Sequence, residues 1–135
     1  MGIEVNSHGV NKAIKYHILP DEEMRKIGFC KNYYEGTDHE EYCPYWYFTQ
    51  RINFPNEKHW KHMDIEFQVN IPKDGSDLNI MVLDMDFCQH YDYQSILEKN
   101  PEHECANIVK NEVEHWMAYL QDVGVLNGHE YGEYI

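Results

Sequence analysis

The chain has 135 residues, 42% of them hydrophobic, with 24 acidic against 11 basic side chains and a formal net charge of −13. That length fits a single domain over 1-135, and the apolar content is enough for a packed core, which excludes wholesale disorder. The negative charge repels nucleic-acid backbones and anionic membranes, so the expected partner is a basic protein surface, with no direct nucleic acid and no membrane.

In chain order, the first dozen residues are polar and are expected to be frayed or paired at a sheet edge. Lys12 to Leu19 reads either as a short strand or as a turn of helix. Pro20-Asp21-Glu22-Glu23 opens a short helix, because proline suits a first helical position and acids suit the positive end of the helix dipole. Met24 and Ile27 give it an apolar side, and Gly28 suits its C-terminal stop. Lys31 to Glu41, with Gly36, reads as a loop.

Three strands are predicted next. In the first, Trp46, Phe48, Ile52 and Phe54 fall on one parity, while Tyr45, Tyr47, Thr49, Arg51 and Asn53 fall on the other. The second has the strictest alternation: Met63, Ile65, Phe67, Val69 and Ile71 interleave with His62, Asp64, Glu66, Gln68 and Asn70. This is the pattern of a strand with one wet face. Pro72 to Asp77 is a turn cluster. The third strand runs Leu78, Ile80, Val82 and then Leu83, Met85, Phe87. Its apolar parity flips between Val82 and Leu83, and one bulged residue would return all six to the core side.

Tyr91 to Lys99 predicts a short helix ended by Asn100-Pro101. A longer helix follows from about Pro101 to Val123, with Cys105, Val109, Val113, Trp116, Met117 and Leu120 on one stripe and Gly124 as its stop. Tyr131, Tyr134 and Ile135 suggest a tail that folds back. The predicted class is α+β: a three- to four-stranded antiparallel meander, a long C-terminal helix packed on one face and a short N-terminal helix.

The predicted hairpin pairs Val69 with Ile80 and Phe67 with Val82, and the bulge then sets Glu66 opposite Asp84 and Asp64 opposite Asp86. Opposed like charges are destabilising, so this quartet asks for compensation. Placing Phe54 opposite Met63 brings Arg51 opposite Glu66 as an internal answer. A partner's Lys and Arg, a bound cation, or screening by water and salt are the others. The candidate binding surface is therefore Tyr45, Tyr47, Arg51, Asp64, Glu66, Asp84 and Asp86. As an alternative, His62, Asp64, Asp86 and His90 could hold a divalent metal with open positions, as metal-assisted hydrolysis requires. The spacing is unspecific, since any solvated strand face alternates in this way. The primary reading has no cofactor.

Eleven tyrosines stand out. Tyr33, Tyr34, Tyr42, Tyr45 and Tyr47 gather around the first strand, and Tyr91 and Tyr93 follow the third. Tyrosine offers large amphipathic area with few rotatable bonds, which suits either a solvated sheet edge or an interface.

Other chemistry lacks a signature. His59 and His62 have no second ligand pair at zinc-finger spacing. No serine lies in a G-x-S-x-G turn, and no glycine-rich phosphate loop is present. Cys30, Cys43, Cys88 and Cys105 form no C-x-x-C pair and are expected to be reduced. No apolar run reaches the roughly 18 residues of a spanning helix. Met1 to Ser7 has neither the basic nor the apolar region of a signal peptide, and Asn6 breaks a myristoylation signal, so a cytoplasmic protein is expected. In general composition the chain is similar to small accessory proteins of phages and mobile elements, with no motif specific to them. The expected function is that of a binding or regulatory protein, inhibitory by imitating nucleic-acid charge, with the metal-dependent hydrolase as the alternative.

Overall fold

The computed structural model describes residues 8–10, 15–32, 45–55, 63–73 and 78–126. In chain order they form β1 (His8–Val10), α1 (Asp21–Ile27), β2 (Cys30–Asn32), β3 (Tyr45–Arg51), β4 (Ile65–Pro72), β5 (Asn79–Asp84), β6 (Gln89–His90), α2 (Tyr93–Lys99) and α3 (Glu104–Asp122). The strands make one antiparallel sheet in the order β1-β5-β4-β3-β2, with β6 also paired to β5. The class is α+β as expected, with more strands than the predicted three or four.

The extra strands are short and lie at the margins. β1 pairs with β5 at one edge, and β2 pairs with β3 at the other. Between them the chain passes through α1. Lys31 and Asn32, read from the sequence as the start of a loop, are strand together with Cys30; a three-residue strand carries too little alternation to announce itself. Residues 15–19 are not helical. Tyr16 bridges Leu126, and the His17 amide donates to the Val125 carbonyl at 2.7 Å, tying this segment to the end of α3.

Local chemistry accounts for the helices. Pro20 precedes α1 as its cap, with Asp21, Glu22 and Glu23 in the first turn, and Gly28 closes it at φ 122°, a conformation that glycine adopts without a Cβ penalty. Asp92 caps α2 by accepting from the Ser95 amide at 3.1 Å. The His103 Nδ1 caps α3 by accepting from the Ala106 amide at 3.1 Å, so α3 starts three residues later than Pro101.

α3 buries Cys105, Ala106, Val109, Val113, Met117 and Leu120. These meet Trp46, Phe48, Ile65, Phe67, Val69, Ile71, Ile80 and Val82 from the sheet, all buried. Fully burying an aliphatic or aromatic side chain stabilises by about 1.5–3 kcal/mol, so this single interface holds the fold. Trp116, expected on the same stripe, sits at its margin and packs its ring against Phe48 and Tyr119 at 5.7 and 5.6 Å. The Tyr119 hydroxyl donates to the Ile27 carbonyl at 2.8 Å, which fastens α1 to α3.

Among the described residues one charged side chain lies inside. Lys31 of β2 is opposite Trp46, on the helix-covered parity, and is buried. Its Nζ reaches Asp21 Oδ2 at 2.6 Å and stands 5.1 Å from the Trp46 ring centroid.

Candidate binding surface

The register between β3 and β4 is continuous from Tyr45↔Pro72 to Arg51↔Glu66. Between β4 and β5 it is continuous from Asn70↔Asn79 to Ile65↔Asp84. Phe67 faces Val82 and Val69 faces Ile80, as the hairpin reading places them. Because side chains alternate across the sheet, one face carries the buried set and the other is turned away from α3. The cross-strand rows on that open face include Tyr47–Asn70–Asn79, Thr49–Gln68–Met81, and Arg51–Glu66–Leu83–His90.

The bulge at Val82–Leu83 does not form. β5 keeps its register to Asp84 and stops, and the chain turns through Met85 to Cys88 into β6. Met85 and Phe87, expected in the core, are exposed. Glu66 is consequently opposite Leu83, not Asp84. Asp84 faces Ile65 and so lies on the helix-covered parity, at its margin. There its negative charge adds to the upward pull on Tyr91 and Cys105, whose pKa values are raised first by burial. The Tyr91 hydroxyl and the Cys105 sulfur are 3.2 Å apart.

The predicted carboxylate quartet is therefore divided. Asp64 and Glu66 are on the open side with Arg51, whose Nε is 3.3 Å from Asp64 Oδ1. Glu66 Oε1 accepts from Gln68 Nε2 at 3.0 Å. Asp84 is on the other face, and Asp86 belongs to the turn, where its amide donates to Asp84 Oδ1 at 3.1 Å. Tyr47 is half-buried on the open face; Tyr45 shares its register parity. Cys105 is buried on the α3 stripe.

For the alternative metal set, Asp64 pairs with Arg51 and Asp86 is in the turn, while His90 follows it in β6 opposite Leu83. His62 lies outside the described residues, as do His59, Tyr33, Tyr34, Tyr42, Cys43, Tyr131 and Tyr134. Among the described residues no group of three or more His, Cys, Asp or Glu side chains is placed to hold a metal ion. Within the same residues no helix is long and apolar enough to cross a membrane.

Sequence reasoning missed two features here, the buried Lys31 and the exposed Met85–Phe87 turn. For the second a signal existed: the parity flip at Val82–Leu83 marks the end of a strand as well as it marks a bulge. Compared with protein-family models, with curated proteins and with solved structures, the chain gives no match.

Proposed function

We propose that this is a small protein-binding, regulatory protein whose open sheet face docks on a basic partner. The observation that carries the reading is a sheet covered on one side by α3, with Tyr47, Thr49, Arg51, Glu66, Gln68 and Asn70 on its other side, in a chain of net charge −13. Such a face supplies hydrogen-bonding groups and aromatic area within a negative field. Complementary potentials speed encounter and select against acidic partners. A nucleic-acid enzyme offers the matching chemistry, a basic groove built for phosphates, and an acidic protein that fills it acts as an inhibitor. An accessory protein of a phage or mobile element fits that role.

The test is capture on the immobilised full chain. Wild type retains a basic partner from extract of its native cells, releasing it as salt rises. The double change Thr49→Lys with Glu66→Lys, at one exposed and one half-buried position of the open face, abolishes retention. Retention that survives both changes at unaltered salt sensitivity would falsify this reading.

A further inference from the structure

Among the described residues, three large hydrophobic side chains are exposed: Ile18, Met85 and Phe87. Two of them share one four-residue turn, and Phe87 is 73% exposed against 38% for Met85. Single apolar residues scattered on a surface need no explanation, but an exposed pair on one turn does. The turn is also held in shape. Its first amide, of Met85, donates to the Asp64 carbonyl at 2.8 Å, and the next, of Asp86, donates to Asp84 Oδ1 at 3.1 Å. Beneath it Asp84 pairs with Gln89 and Leu83 with His90. A side chain presented on a fixed turn loses little conformational freedom on binding.

We propose that the β5–β6 turn is the anchor of docking: Phe87, with Met85 on the same turn, enters an apolar pocket on a partner protein whose rim of Lys and Arg meets Asp86 and Glu66. The proposal rests on the reading of this chain as a binder of basic proteins and names where the contact is centred. Aromatic residues in desolvated pockets carry most of the binding energy of an interface, and rim charges set orientation and rate. Charge chooses the occupant. A second copy of this chain would bring acid against acid, and an anionic bilayer repels a chain of net charge −13. A basic-rimmed pocket satisfies both the apolar tip and its acidic collar.

The experiment places the photo-crosslinker benzoylphenylalanine at position 87 of the full chain and, separately, at position 47, and irradiates each in extract of its native cells. Crosslinks from position 87 are expected in an apolar peptide with Lys or Arg beside it, on a protein whose capture falls at least tenfold with Phe87→Ser and is restored to within severalfold by Phe87→Leu. Crosslinks from position 47 alone, with capture unchanged by Phe87→Ser, overturn the anchor and leave the open-face reading standing. Crosslinks from neither position overturn both. Crosslinks to a second copy, or Phe87-dependent binding to phosphatidylcholine vesicles, overturn the basic partner. Matching thermal midpoints for wild type and Phe87→Ser confirm that the comparison is made between folded proteins.

Discussion

Lys31 and Asp21 form an ion pair of unequal burial: the lysine side chain is 3% exposed and the aspartate 57%, across a 2.6 Å contact. Removing the two partners should therefore cost differently. Asp21→Asn removes the carboxylate that faces a buried ammonium beside Trp46. Lys31→Met leaves a carboxylate that water does solvate, and a thioether that still packs on the ring. Thermal unfolding should show a larger loss for Asp21→Asn than for Lys31→Met. Equal losses would mean that the pair contributes through packing alone.

The same pair sets an acid limit. The hydrogen bond from Lys31 holds the Asp21 carboxyl below its ordinary 3.8. A group whose pKa is depressed by folding contributes stability above its unfolded value and loses it as pH falls through the folded value. The stability of wild type should decline below about pH 4 more steeply than that of Asp21→Asn. Denaturant midpoints measured from pH 5 to pH 2 check it, and parallel curves would refute the assignment.

At the alkaline end the sign reverses. Burial, and then the hydrogen bond to Cys105, raise Tyr91 well above its ordinary 10.0. A raised group contributes stability below its unfolded value, and that contribution fades as pH rises toward the folded one. Stability should fall above about pH 10, and Tyr91→Phe should flatten that limb. Cys105, buried and also raised, should react with an aromatic disulfide reagent only on unfolding, while exposed Cys30 and Cys88 react in the native state.

Cys88 closes the β5–β6 turn at φ 51°, a left-handed conformation in a residue with a Cβ. Glycine adopts that conformation without strain, so Cys88→Gly should stabilise by about 1 kcal/mol, read as a higher urea midpoint at unchanged slope. A loss of stability would show that the sulfur, 3.9 Å from the Met85 carbonyl, matters more than the backbone.

On the open face the Arg51–Asp64 pair is solvent-accessible, and exposed pairs contribute only about 0.2–1 kcal/mol. Arg51→Ala should cost no more than that at low salt and less at 1 M salt. With Asp64 engaged by Arg51 and Asp86 in the β5–β6 turn, Mn²⁺ and Zn²⁺ should leave the thermal midpoint unmoved. An upward shift of several degrees at stoichiometric metal would instead favour the hydrolase alternative.

The sequence by itself determined the elements whose side chains repeat for long enough to be counted. The alternation from Met63 to Ile71 established β4 and its buried face. The stripe from Cys105 to Leu120 established α3, and Pro20 with Gly28 bounded α1. Those patterns also set the Phe67↔Val82 and Arg51↔Glu66 pairings, because the side-chain period of a strand is two and a buried face leaves one register. What only the tertiary structure decided lies where local pattern ends. The parity flip at Val82–Leu83 is the same in sequence whether a strand bulges or stops. It stops because Asp84 still pairs with Ile65 while Met85 donates to Asp64 and the chain turns back through β6. That one decision puts Asp84 beside Tyr91 and Cys105 and leaves Phe87 in water. Lys31 is buried for a similar reason: a three-residue edge strand has no periodicity of its own, and its facing is imposed by Trp46 on one side and by Asp21 of α1 on the other.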